Sequence, residues 1–95
     1  MLTDVADYLS VVPGYGIVKL VAPSYIVNEK LSDVGFGQGG KWEIAVILIQ
    51  RDKEILISPI PKEVIQANDI LILAGSDDKI EKLLVDAKKQ QNNGK

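Results

Sequence analysis

The side chains best suited to contact a nucleotide are the neighbours Lys41 and Trp42, which follow a glycine-rich segment at 35–40. A lysine can neutralise a phosphate, and an indole ring can stack on a base such as adenine. A tryptophan at the start of a strand can equally be a core or subunit-interface residue, because aromatic residues are enriched at interfaces. The pair therefore predicts either a phosphate-and-base site or a packing role, and both alternatives stay open.

The glycine-rich segment itself, Gly35 to Gly40, is predicted to be a loop, because four glycines make regular structure costly. It does not end in the lysine and hydroxyl pair of a phosphate-binding P-loop, and it does not run directly into a helix. We therefore expect no nucleotide site of the P-loop type.

The acidic residues Asp77, Asp78 and Glu81 are of a type that can bind calcium. They follow Ser76, which is a favourable helix N-cap, and acidic side chains in the first turn oppose the helix dipole. We interpret them as capping and solvated-face residues, and Asp69 as a turn residue. The sequence predicts no metal site.

The sequence contains no histidine and no cysteine. It therefore has neither the commonest general base nor a thiolate, and a nucleophile, a base and an orienting group cannot be assembled. We predict that the protein is not an enzyme and uses no cofactor. The net charge of −2 and the scattered basic residues also give no basic face for a nucleic acid.

Length and composition indicate one globular domain, since 95 residues with 46% apolar and 25% charged residues can close a single core. The longest apolar runs, at 44–49 and 70–74, are far shorter than the roughly 20 residues that cross a bilayer. The N-terminus carries Asp4 and Asp7 and does not have the basic start of a secretory signal. We expect a cytoplasmic chain with no direct membrane insertion.

The first half of the chain predicts two helical segments around one strand. Val5, Tyr8 and Leu9 share a stripe, which predicts a short helix over 3–12, and the turn residues at 13–16 end it. Ile17 to Ala22 is predicted to be a strand, and residues 28–34 a short helix.

The second half predicts three strands and a final helix. Residues 43–50 are nearly all apolar, which indicates a strand buried on both faces, and the turn Arg51-Asp52-Lys53 joins it in a hairpin to a strand over 54–58. Pro59 and Pro61 end that strand, because they cannot donate ladder hydrogen bonds. The next strand covers 70–74. An amphipathic helix over 77–88 follows, with Ile80, Leu83, Leu84 and Ala87 on one stripe.

The predicted fold class is thus α+β, with a mainly antiparallel sheet, a short helix, a C-terminal amphipathic helix and the order β-α-β-β-β-α. Residues 1–13 are expected to be an N-terminal linker or short helix, 14–88 the domain, and 89–95 a polar, disordered tail.

Laid out in this way, the segment from Gly16 to Leu84 resembles a TrkA-C domain, also called the C-terminal lobe of an RCK subunit. The resemblance is carried by 49–61, where two strands flank a basic turn and end in a proline pair, and by 64–76, where an Asn68-Asp69 turn leads to a strand ending in glycine. The first half is similar at 18–23 and 28–31. The loop Gly35 to Gly40 departs from the family, whose members commonly carry a charged, arginine-containing segment there.

The resemblance implies a cytoplasmic regulatory domain that pairs with a copy of itself. It would act on a potassium or cation transporter or channel subunit, of the same or a separate chain, and would be membrane-associated through that protein. Several family members bind cyclic di-AMP at the dimer interface, using the start of the central strand and the proline-containing segment. Carried over, the ligand positions are Lys41, Glu43, Ala45 and Pro61. With Trp42 as the stacking candidate and Ile60 between the two prolines, the predicted ligand residues number six.

The alternative is a ligand-free structural dimerisation domain of a transporter or transcription regulator. Family binders usually place an amide side chain near the position of Ala45 and an arginine upstream of it, and this sequence has neither.

Overall fold

The computed structural model describes residues 8–93, which form a five-stranded sheet with two helices. The strands are β1 (Tyr8–Val12), β2 (Tyr15–Val21), β3 (Ala45–Arg51), β4 (Glu54–Ile57) and β5 (Ile70–Ser76). The helices are α1 (Leu31–Val34) and α2 (Asp77–Asn93), and a 3-10 turn spans Ser24–Ile26. Within this described range, no helix is both long enough and apolar enough to cross a membrane.

The sheet has the order β1-β2-β5-β3-β4, and every neighbouring pair is antiparallel. The last strand in sequence, β5, lies in the middle and pairs with β2 on one side and β3 on the other. The predicted α+β class, the antiparallel sheet and the hairpin of β3 with β4 are confirmed. The β-α-β-β-β-α order is confirmed for β2 to α2, and β1 is an additional edge strand.

The core lies between α2 and one face of the sheet. Alternate residues of the central strands point to it, so Val18 of β2 and Leu71 of β5 are fully buried. From α2, Ile80 and Leu83 pack against them, as the predicted helical stripe requires. The cluster also includes Leu20, Ile26, Leu31, Phe36, Ile44, Ile49, Ile65 and Leu73. Burying each such side chain contributes about 1.5–3 kcal/mol.

Residues 8–12, predicted to be helical, form β1 instead, so that prediction is wrong for them; residues 3–7 lie outside the described range. β1 pairs with β2 across a tight turn in which Gly14 has a φ of +84°. The β-branched residues Val11 and Val12 favour the extended conformation. In the extended conformation these residues form ladder hydrogen bonds with the edge of β2.

α2 continues beyond residue 88 to Asn93. The prediction of a disordered tail over 89–95 is therefore wrong for residues 89–93, and residues 94–95 lie outside the described range. The physical reason is composition, because the lysines and glutamines at 88–91 are good helix formers and no glycine interrupts them before Gly94.

α1 is shorter than the predicted segment 28–34. Lys30 is extended and forms an isolated antiparallel bridge with Val64, whereas Asn28 lies in a turn with a φ of +76°. Backbone hydrogen bonds in both directions, Asn28 N–H to Ile65 O (2.7 Å) and Ile65 N–H to Glu29 O (2.9 Å), hold residues 28–30 in this non-helical conformation.

β3 does not have the two-sided burial that its apolar run predicts. Of its seven residues only Ile49 is fully buried, and the others are half-buried or exposed. Ile49 pairs with Leu71 on the core face, whereas Leu48 pairs with Ile72 on the opposite face. The second face of the sheet is thus apolar without being buried in a single chain.

Candidate functional site

A pocket of about 200 Å³ opens where α1, the start of β3 and the segment after β4 meet. It is lined by Leu31, Phe36, Gly37, Ala45, Val46, Ser58, Pro59 and Pro61. None of these side chains is charged, and Ser58 is the one with a polar side chain. The pocket lining is therefore mainly apolar, as is common for small-molecule sites.

α1 and the glycine loop form one wall of the pocket. Leu31 and Phe36 are buried, and Gly35 ends α1 in the left-handed conformation with a φ of +107°. The Gly37 N–H then donates to the Ile44 carbonyl at 2.8 Å, which ties the loop to the residue just before β3. This wall is consequently fixed relative to the sheet by backbone bonds.

The opposite wall is formed by Pro59 and Pro61. Ser58, just after β4, has a φ of +48°, and its N–H donates to the Ile47 carbonyl at 2.8 Å. That left-handed residue turns the chain out of the sheet ladder. Neither proline carries an N–H, so neither can donate a backbone hydrogen bond to a neighbouring strand.

Two of the six predicted ligand residues, Ala45 and Pro61, line this pocket. Ile60 lies between the two lining prolines, and its side chain is 61% exposed. The structure thus brings together the start of the central strand and the proline-containing segment, which are 16 residues apart between Ala45 and Pro61.

The other three predicted residues, Lys41, Trp42 and Glu43, do not line the pocket. The Lys41 ammonium lies 4.8 Å from the centroid of the Trp42 ring, and Trp42 packs against the core cluster. The Glu43 carboxylate points to α2, where its Oε1 lies 3.5 Å from Lys79 Nζ. These contacts are those of the packing alternative, and the ligand role of Lys41 and Trp42 stays a prediction.

Six of the eight lining residues were not among the predicted ligand positions, namely Leu31, Phe36, Gly37, Val46, Ser58 and Pro59. Ser58 was detectable, because it is a lone hydroxyl residue directly before the strand-ending prolines. Leu31 and Phe36 gave no separate signal, since a buried apolar residue looks the same in sequence whether or not it borders a pocket.

A buried ionic network lies next to the proline wall. Arg51 Nε and Nη2 donate to the two oxygens of Asp69 at 2.9 Å each, and the Asp69 side chain is 0% exposed. Nη1 donates to Glu63 Oε2 at 3.2 Å and Nη2 to the Val64 carbonyl at 3.1 Å. The hydrogen bond with Asp69 raises the pKa of Arg51, and this effect outweighs burial, which acts to lower it. Arg51 therefore stays positively charged.

A larger open groove of about 470 Å³ runs along α2, lined by Tyr8, Asp77, Ile80, Glu81, Leu84, Val85 and Lys88. It shares no residue with the predicted ligand positions. We therefore take the smaller pocket at Ala45 and Pro61 as the candidate site.

Comparison with known proteins agrees with this fold. A family model described as the TrkA-C domain matches residues 16–85. The Ktr system potassium uptake protein C of Bacillus subtilis (strain 168) is 37% identical over 73 residues, which cover 77% of this chain and 32% of that protein. The chain thus spans about a third of the length of that relative.

A solved structure is also similar to the fold. It is the RCK (regulator of conductance of K+) C domain of the potassium transport protein KtrA in complex with cyclic di-AMP. The two chains are 30% identical with a TM-score of 0.65, and the match covers 75% of this chain and 81% of that one.

Proposed function

Because this chain belongs to the TrkA-C domain family, we propose that it is a regulatory domain of potassium transport that binds cyclic di-AMP at the interface of a homodimer. The observation that carries the proposal is the pocket that unites Ala45 with Pro61. These are positions that the family resemblance assigns to the ligand, and the similar KtrA domain was solved with cyclic di-AMP bound.

The size of the pocket fits one half of this ligand. At about 200 Å³ it is smaller than the roughly 300–1,000 Å³ of pockets that enclose a whole drug-sized molecule. Cyclic di-AMP consists of two identical halves, so a two-fold dimer offers one such pocket to each adenine. A two-fold ligand matches the self-complementary interface that a two-fold dimer requires.

The second face of the sheet supports the dimer. We call it the open face, and its apolar residues are Ile17, Val21, Leu48, Ile55, Ile57, Ile70, Ile72 and Ala74, which lie side by side through the strand registers. None is fully buried, and Ile57 is 74% exposed. Lys19, opposite Ile72, and Gln50, opposite Ile70, are the polar residues among them. A largely apolar surface of this kind marks interaction sites. A partner would also provide the two-sided burial that the sequence of β3 predicts.

The open face adjoins the pocket. Ala45 pairs with Ala74 on this face and also lines the pocket. A second copy docked on the open face would therefore lie beside a bound ligand. Ligand bridging two subunits would favour one relative orientation of them, and an attached transport or gating subunit would respond to that population shift on the cytoplasmic side.

The test is thermal unfolding and calorimetric titration with cyclic di-AMP, cyclic di-GMP and ATP. We expect selective stabilisation by cyclic di-AMP, of roughly 2.7 kcal/mol at 100 times its dissociation constant. Ala45→Leu fills the pocket and should abolish the effect. Ala67→Leu makes the same chemical change in an exposed turn that does not line the pocket, and should preserve it.

The proposal fails if the wild-type domain gives no response to cyclic di-AMP at concentrations well above micromolar. One observation favours a second candidate, a ligand-free structural dimerisation domain: no charged side chain lines the pocket, and Lys41 lies over Trp42. A dimer whose stability is the same with and without every nucleotide would support this second candidate.

A further inference from the structure

Two walls of the pocket are not part of the sheet. One is α1 with Leu31, and the other belongs to the proline segment, which we define as residues 59–65. They are joined to each other, since the Leu31 N–H donates to the Glu63 carbonyl and the Ser32 N–H to the Pro61 carbonyl, each at 3.0 Å. α1 and the proline segment therefore form one unit. The Gly37–Ile44 backbone bond ties the α1 end of this unit to the start of β3, and the proline end needs a separate connection to the sheet.

Arg51, the last residue of β3, makes that connection. Two of its donors hold Asp69, whose carboxylate also accepts the Gln66 N–H at 2.9 Å. The rest of the guanidinium reaches the proline segment through the Glu63 carboxylate at 3.2 Å and the Val64 carbonyl at 3.1 Å. The planar guanidinium presents its donors in a fixed fork, so the bond to Asp69 also sets the direction of the other two.

We propose that Arg51 is a positioning residue for the ligand pocket: through Glu63 and the Val64 carbonyl it holds the proline segment and α1 in the geometry that binds ligand. The inference rests on the proposed function for the identity of the ligand. It concerns residues that do not line the pocket, because Arg51, Glu63 and Asp69 all lie outside it.

Proline chemistry explains why such an anchor is needed. Pro59 and Pro61 have no N–H, so apart from the Ile65 N–H, which donates to the Glu29 carbonyl, the segment is tied to its surroundings through acceptors, namely its carbonyl oxygens and the Glu63 carboxylate. An arginine has enough N–H donors to bind a carboxylate and a carbonyl while it also binds a second carboxylate. The 18% exposure of the Arg51 side chain limits competition from water.

The first test is hydrogen exchange of the Leu31 and Ser32 amides in Glu63→Ala. Glu63 is chosen because replacing Arg51 would leave Asp69 buried without a partner and risk unfolding. We expect exchange at these two amides to be about tenfold faster, with the amides of β5 unchanged. The matched control is Glu54→Ala, which removes an exposed carboxylate directly opposite Arg51 in the hairpin and should change neither set.

The second test is calorimetric titration of the same variants with cyclic di-AMP. Glu63→Ala should weaken binding about tenfold, whereas Glu54→Ala should bind like wild type. By reciprocity, ligand should slow exchange at Leu31 and Ser32 in the wild-type protein. Unchanged exchange in Glu63→Ala, or faster exchange with unaltered affinity, would overturn the proposal. If the wild type itself does not bind cyclic di-AMP, the proposed function fails, and the exchange result alone decides the anchoring role of Arg51.

Discussion

Asp69 contributes to the stability of the fold through the hydrogen bonds of its side chain. Its carboxylate is fully buried yet accepts three hydrogen bonds, two from Arg51 and one from the Gln66 N–H. Burial acts to raise the pKa of Asp69, but the hydrogen bonds from Arg51 and Gln66 outweigh it and hold that pKa below its usual value. A lowered pKa means that folding favours the ionised carboxylate.

This shift predicts an acid-sensitive contribution to stability. The contribution is fully present above the unfolded-state pKa, and it is lost as the pH falls below about 4 and through the folded-state pKa. Asp69→Asn should be less stable than wild type by about 3 kcal/mol at pH 7 and should lose less stability between pH 4 and pH 2. Urea unfolding at each pH measures both effects. Parallel pH profiles for the two proteins would show that the charge of Asp69 is not responsible.

At the scale of elements, α2 begins directly after β5 without a connecting loop. The Ser76 hydroxyl accepts a hydrogen bond from the Lys79 N–H at 3.1 Å, so the predicted cap is confirmed, and Asp77 and Asp78 occupy the first turn. The Asp77 N–H donates to the Gly14 carbonyl at 2.9 Å. The start of the helix is thereby bound to the β1–β2 turn.

Removing this cap should therefore weaken α2. We expect Ser76→Ala to lower the free energy of unfolding by about 1 kcal/mol, because one N–H at the helix start loses its partner. Ser76→Asp keeps an acceptor there and should stay within about 0.5 kcal/mol of wild type. Chemical denaturation followed by circular dichroism compares the three proteins, and equal losses in both variants would argue against capping.

The hairpin of β1 and β2 depends on the space above Gly16. A Cβ added there would lie 2.7 Å from the Leu9 carbonyl oxygen and would collide with the Tyr8 ring. Gly16→Ala should therefore displace β1 and destabilise the domain by about 1–3 kcal/mol. Ser10→Ala, an exposed change at the cross-strand partner of Gly16, should be close to neutral.

Thermal unfolding together with hydrogen exchange at the β1 amides would check this prediction. Wild-type stability and unchanged β1 protection in Gly16→Ala would show that Tyr8 and Leu9 can move aside at little cost.

The molecule as a whole has one sheet face covered by α2 and one open face. If the open face is the dimer interface, a charge at its most exposed apolar residue should separate the subunits, because a buried unpaired lysine is costly. We expect Ile57→Lys to be monomeric. Val85→Lys is the matched control, since Val85 is 58% exposed on α2.

Analytical ultracentrifugation at several protein concentrations measures the outcome. A dimer retained in Ile57→Lys and lost in Val85→Lys would show that the interface lies at the α2 groove and not at the open face. A wild-type domain that stays monomeric at every concentration would remove the basis for a homodimer.

Local sequence patterns were sufficient to predict several elements of this fold. The turn Arg51-Asp52-Lys53 between two apolar runs predicts the β3–β4 hairpin, and the spacing of Ile80 and Leu83 predicts α2, because both signals lie within a few residues. The resemblance carried by 49–76 also indicated the family. Where the local signal was weak, as over residues 8–12, the prediction was wrong.

Only the tertiary structure decided which distant residues meet. Arg51 reaches Asp69 because β5 pairs with β3, and Leu31 shares a pocket with Pro61 because Lys30 forms a bridge with Val64. No local pattern encodes these choices of neighbours. The sequence offered Lys41 and Trp42 both a ligand site and a packing role, and the structure adds that Trp42 packs against the core cluster. Periodicity predicts the face of an element on which a side chain lies. The pairing of strands decides which distant residues become its neighbours on that face.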